Sequence, residues 1–122
     1  MAVFTKALII DDDADLCTML TSVVNILIPQ VKSAQTLELG KQLVAEFKPD
    51  VVFLDNNLPD GHGLNAISEI RKTLPTALII FIMAMDAHNE EALALGADLF
   101  LAKPFSFNSV QEALGFTATN KS

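Results

Sequence analysis

Four residues have the types and positions for joint chemistry: Asp11, Asp12, Asp55 and Lys103. Each stands at the end of a short apolar run. Asp11 and Asp12 follow "ALII", Asp55 follows "VVFL", and Lys103, with Pro104 behind it, follows "LFLA". Acids side by side repel, and each raises its neighbour's tendency to stay protonated. A hard divalent cation relieves that repulsion. Magnesium takes oxygen ligands and binds through one or two carboxylates plus phosphate oxygens. Lys103 adds a compact, mobile cation suited to a phosphoryl oxygen. An aspartate can also act as a nucleophile, taking a phosphoryl group as an acyl phosphate. Such transfer depends on positioning and charge neutralisation, which a metal and a lysine supply.

These side chains meet only if the runs that carry them are strands of one sheet. Short length and β-branched or aromatic content predict strands over 3–10, 31–34 (a weak signal), 51–54, 77–83 and 99–102. Helical spacing fills the intervals. Residues 14–28 place Leu16, Leu20, Val23, Val24 and Leu27 on one face behind Asp13 as N-cap. Residues 37–47 offer Leu39, Leu43 and Phe47 and stop at Lys48-Pro49. Residues 64–73 offer Leu64, Ile67 and Ile70, with Leu74 just beyond. Two short helices follow, 88–95 ending at Gly96 and 106–114 capped by Ser106 or Asn108.

Five β-α units in strict alternation imply an α/β fold, a parallel sheet with helices on both faces and right-handed crossovers. All strand C-termini then share one edge, where open α/β sheets bind ligands. Strands 1 and 3 are neighbours in the common doubly wound order, so Asp11, Asp12 and Asp55 crowd one crevice.

Composition narrows the function. The 122 residues suit one domain with one core. A 51% hydrophobic content argues against disorder, and the longest apolar run, "ALIIFIMAM", is too short to span a bilayer. The N-terminus shows no secretory signal, and lone Cys17 has no internal disulfide partner, so a cytoplasmic setting and no membrane association are expected. Fifteen acids against eight basic residues, a net charge of −7, argue against direct nucleic-acid binding. That field suits a cation or partners with basic surfaces.

The chain resembles the receiver domain of two-component response regulators. The resemblance rests on Asp11-Asp12 after strand 1, Asp55 after strand 3 with Pro59 and Gly63 downstream, and Lys103-Pro104 after strand 5. It spans essentially the whole chain. It implies a single receiver domain over 1–122, with 117–122 as a flexible tail. The implied fold is a flavodoxin-like doubly wound (βα)5 three-layer sandwich with strand order 2-1-3-4-5. By resemblance, Asp55 is the phosphoacceptor, served by a sensor histidine kinase or phosphotransfer protein. Asp12 and Asp55 hold Mg2+ with the backbone carbonyl of Asn57, and Asp11 acts partly through water. Lys103 contacts the phosphoryl group, the Lys103-Pro104 peptide is cis, and the domain is not an enzyme. Output passes by protein contact through the face of strand 4, helix 4, strand 5 and helix 5.

One departure stands out. Receivers carry a Thr or Ser at the end of strand 4, whereas this region reads "IIFIMAMDAHNEEALALGAD". Ungapped spacing from Gly96 puts the position at Phe81. A helix 4 one turn shorter puts it at Ala84, preferred because a small residue suits the site. Neither has a hydroxyl. The family's switch aromatic falls on Phe100, which can signal only by packing. A pseudo-receiver, an interaction module working without phosphorylation, is therefore the alternative function. A metal-dependent phosphatase with Asp11 as nucleophile is a third reading, although that chemistry normally needs a larger chain.

Plainer readings apply to the other residues. Asp13 and Asp15 suit the first turn of a helix. The Asp11-x-Asp13-x-Asp15 spacing mimics the start of a calcium loop, but Leu16 stands where Gly is needed and Ser22 where Glu is needed. His62 and His88 are expected to be exposed loop residues, and Cys17 a partly buried structural thiol. Met83 and Met85 are read as fillers. Asn56 and Asn57 suit a turn, and Asn57 also stands where it can influence an attacking water.

Overall fold

The computed structural model describes residues 4–83 and 89–116. Five strands form one parallel sheet: β1 (Lys6–Ile10), β2 (Gln30–Ala34), β3 (Val51–Asp55), β4 (Leu78–Met83) and β5 (Leu99–Ala102). Their order is β2-β1-β3-β4-β5, with the chain reversing direction across the sheet at β1 and β3. Five helices alternate with the strands: α1 (Ala14–Val24), α2 (Leu37–Phe47), α3 (Ile67–Thr73), α4 (Asn89–Leu95) and α5 (Phe107–Gln111).

Successive strand side chains point to opposite faces, so near-continuous apolar strands build two cores. Leu8, Ile10, Val52, Leu54, Ile79 and Phe81 pack against Val44 of α2, Ile67 and Ile70 of α3, and Ala92 of α4. Ala7, Ile9, Val51, Phe53, Ile80 and Ile82 pack against Cys17, Leu20 and Val24 of α1 and Val110 of α5. Both faces of the central strands are covered, which is why β3 is buried at every position.

Helix ends follow local chemistry. Asp13 caps α1, its carboxylate accepting from the amides of Asp15 and Leu16 at 3.0 and 3.1 Å. α1 stops at Val24, short of the expected residue 28. The Asn25 side-chain amide donates to the carbonyls of Ile28 and Pro29 and turns the chain ahead of the proline. Leu27, assigned to the buried face from its spacing, is consequently exposed, while Ile28 is buried. α3 begins at Ile67, not residue 64, because Gly63–Ala66 form a 3-10 turn. α5 opens on Ser106, whose hydroxyl accepts from the Ser109 amide at 3.1 Å, and widens into a π-type turn over Glu112–Phe116. At Gly96 the backbone turns at φ +121 to end α4. Ala84, Met85, His88 and the tail 117–122 lie outside the described residues.

Candidate functional site

Sheet register gathers the four chemical residues. Ile10 pairs with Leu54, Asp55 with Ile82, and Met83 with Ala102. The Lys103 amide continues the ladder, donating to the Met83 carbonyl at 2.7 Å. Asp11 and Asp55 therefore lie at adjacent strand ends. Lys103 starts two strands beyond Asp55, after β5, and its four-carbon stem reaches back across the end of β4. Its ammonium lies 3.0 Å from Asp55 Oδ1 and 3.2 Å from Asp11 Oδ2. The Lys103–Pro104 peptide is cis.

Burial and charge are poorly matched here. Asp11 has no exposed surface and Asp55 only 3%. Asp11 Oδ1 accepts from the Asp13 amide at 2.9 Å, whereas Asp11 Oδ2 has no aligned hydrogen-bond donor. Asp55 Oδ2 accepts from the Asn57 amide at 3.1 Å. Burial pushes the Asp55 carboxyl above its ordinary value and the Asp11 charge adds to the rise, while Lys103 and the Asn57 amide offset part of it. Burial alone would lower Lys103. The hydrogen bond and charge of Asp55, with Asp11 behind it, outweigh that and hold the ammonium above its usual range.

These residues fit a divalent cation. One oxygen each from Asp11, Asp12 and Asp55 lies within 4.8 Å of the others. Asp11 Oδ2 is buried and faces only the Lys103 ammonium, without an aligned hydrogen bond, so it has something to gain from a cation. Asp12 is exposed and leaves the site open to solvent.

The segment after Asp55 holds the acceptor side in place. Asn57 pairs with His62 and Leu58 with Gly61 in a short antiparallel hairpin. Asn56 closes its base: its carbonyl accepts from the Gly63 amide at 2.8 Å, and its side-chain Oδ1 from the Leu64 amide at 3.0 Å. Gly63 lies so close to β3 that a Cβ there would sit 2.1 Å from the Asp55 carbonyl oxygen. Any larger residue would displace the acceptor strand.

Comparison with known proteins agrees with this geometry. Residues 7–115 match the family described as response regulator receiver domain. The chain belongs to that family. It is 38% identical over 114 residues to the chemotaxis protein CheY of Thermotoga maritima, covering 89% of this chain and 93% of that protein. Among solved structures, the N-terminal domain of an uncharacterized Wolinella succinogenes protein shares 30% identity, with a TM-score of 0.84 over 98% of this chain and 97% of that one. A Burkholderia pseudomallei response regulator, described with a phosphorylated aspartic acid, a calcium ion and citrate, shares the fold. Its TM-score is 0.83 at 23% identity, over 97% of this chain and 73% of that one. The receiver is thus a module of two-component response regulators, and the expected fold and strand order hold.

The remaining sequence expectations sort as follows. Phe81 is fully buried opposite Leu54, two residues before β4 ends, so it is not a strand-end residue. Ala84 lies outside the described residues. Phe100 is half-buried against the core cluster. His62 is exposed, although in the hairpin, not a loop. Cys17 is buried. Burial, with the charges of Asp11, Asp13, Asp12 and Asp55, pushes its thiol up to about 11, so it stays protonated and donates to the Asp11 carbonyl. Among the described residues, no helix is long and apolar enough to cross a membrane. Sequence reasoning left two roles unread: Asn56 as the closure of the hairpin base, and Asp60 as a cap on α2. "NNLPDG" signals a turn but not what the turn touches.

Proposed function

We propose that this receiver is a phosphoacceptor, with Asp55 taking a phosphoryl group from a histidine kinase or phosphotransfer protein. The observation that carries the reading is a nearly buried carboxylate at a strand end, 3.0 Å from a lysine and grouped with two further acids. Asp11, Asp12, Asp55 and the Asn57 carbonyl would hold Mg2+. When bound, that ion neutralises charge on the phosphoryl oxygens.

The protein groups do the rest. The Asn57 amide fixes one Asp55 oxygen, leaving the oxygen beside Lys103 to attack phosphorus. The phosphorus–nitrogen bond of the phosphohistidine donor breaks, and its electron pair returns to the imidazole. Lys103 follows the transferred oxygens as a point charge. Asp11 suits a supporting role, one oxygen held by the Asp13 amide and the other facing Lys103. Output by protein contact through β4, α4, β5 and α5 is supported by Leu93 and Phe107, which are exposed there at 50% and 45%.

Intact mass after incubation with a small phosphodonor and Mg2+ tests the reading. A single added phosphoryl group in wild type, absent in Asp55→Asn and absent without metal, is the expected result. The second reading, an interaction module independent of phosphorylation, is favoured by "FIMAM" at 81–85, which has no Thr or Ser. A folded wild type that binds Mg2+ but gains no mass, and takes up no stable phosphoryl mimic, would establish it.

A further inference from the structure

The loop after Asp55 does not end at the acid site. Its tip, Asp60, is exposed yet has both carboxylate oxygens engaged by a distant helix. Oδ1 accepts from the Leu37 amide at 2.8 Å and Oδ2 from the Glu38 amide at 3.0 Å. α2 already has a local cap, since Thr36 Oγ1 accepts from the Leu39 amide at 3.1 Å. Asp60 thus supplies two first-turn partners that no residue beside the helix provides.

Between Asp60 and Asp55 the bonds are directional and continuous. Asp55 Oδ2 takes the Asn57 amide, Asn57 pairs with His62, and Leu58 pairs with Gly61. Gly61, at φ +149, lets the tip lie against Leu37, whose Cδ1 would be 3.1 Å from any Cβ placed there. Leu58 is buried in the same core cluster as Leu37. With Asn56 closing the base, the loop is a bracket held at both ends.

We propose that Asp60 is a positioning residue for the acid site: by fastening the loop 56–62 to the N-terminus of α2, it couples metal occupancy at Asp11, Asp12 and Asp55 to the capping of that helix. The inference rests on the metal reading above and extends it. If the bracket holds Asn57 against Asp55 for the cation, loosening its tip lets Asn57 wander and weakens binding. Coupling between two equilibria is reciprocal. A bound cation must therefore also tighten the α2 amides.

Two cap deletions separate positioning from stability. Asp60→Ala and Thr36→Ala each remove a cap of α2, but only the first frees the loop. Mg2+ titration of the intact chain by calorimetry should show about three- to tenfold weaker binding for Asp60→Ala, at or below the low end of the roughly 10- to 100-fold loss common for outer-shell partners of metal ligands. Thr36→Ala should lower the thermal midpoint yet bind within about twofold of wild type, since its bond is local to the helix. Asp60→Asn, retaining one acceptor, should bind with intermediate affinity. In wild type, Mg2+ should slow hydrogen exchange at the Leu37 and Glu38 amides. Unchanged affinity in Asp60→Ala, or equal weakening in both variants, overturns the coupling while leaving the metal site standing. A folded wild type that binds no Mg2+, or binds it equally well as Asp12→Asn, overturns the metal reading and the coupling with it.

Discussion

Two charged clusters occupy opposite edges of the sheet. Arg71 sits where β4 and β5 begin. Its guanidinium donates to the carbonyls of Leu74, Pro75, Ala77 and Gly96, and it pairs with Asp98, whose carboxylate also accepts from the Ile79 amide. One cation meets one anion, and the other donors find backbone acceptors at the ends of α3 and α4. Lys103 sits where the strands end. Its single charge faces Asp11 and Asp55 with Asp12 nearby, and one buried oxygen has no aligned donor. The matched cluster ties elements together and asks for no further component. The mismatched one holds excess negative charge in a low-dielectric crevice, which costs stability unless a cation arrives. Structural charge is satisfied within the chain; functional charge is left for a ligand to complete.

Variants can break this contrast. Arg71→Met should destabilise the fold by about 3 kcal/mol, because it strands several partly buried carbonyls and the Asp98 charge. Urea unfolding with and without Mg2+ checks it: the loss should persist in metal, and Mg2+ affinity should stay near wild type. Lys103→Met should cost less, about 1 kcal/mol at neutral pH after allowing for its partial exposure. That loss should shrink as pH falls or Mg2+ is added, since protonation or a cation replaces the missing charge. A deficit indifferent to both would place Lys103 with Arg71 as a structural tie.

The smallest effect sharpens the electrostatic side. The native Asp55 carboxyl titrates above the ordinary value of 3.8. The metal-free folded state therefore takes up that proton before the unfolded state does, and this group's contribution to stability falls as pH rises through that interval. Metal binding needs the carboxylate. Mg2+ affinity should accordingly weaken, on acidification, at a higher pH than ordinary carboxylate ligands would give. Calorimetric titrations across pH 4 to 7 would show it, and a profile following unshifted carboxylates would contradict the burial argument.

Much of this molecule was legible in its residues. The strands and the helix over 37–47 could be placed because apolar runs and helical spacing differ in period. The acid and lysine positions were legible because ligand sites of parallel sheets lie at strand ends. Helix ends were less legible. Leu27 fits the apolar stripe of α1 but is exposed, because Asn25 bonds forward to Ile28 and Pro29 and ends the helix early. The hairpin at 57–62 escaped notice because two-residue strands carry no periodic signal. The role of Asp60 left no sequence signal, because its two partners are 22 and 23 positions away.

The sequence by itself determined the alternation of strands and helices, the excess of acid, and the lysine able to face it. These depend on local periodicity and on residue type. Only the tertiary structure decided which carboxylate oxygen keeps a hydrogen bond, which lies buried without one, and which loop is held by a distant helix. Those outcomes depend on sheet register and on close approaches such as Gly63 to the Asp55 carbonyl. Ångström-scale contacts between residues far apart in the chain leave no period for a sequence to show.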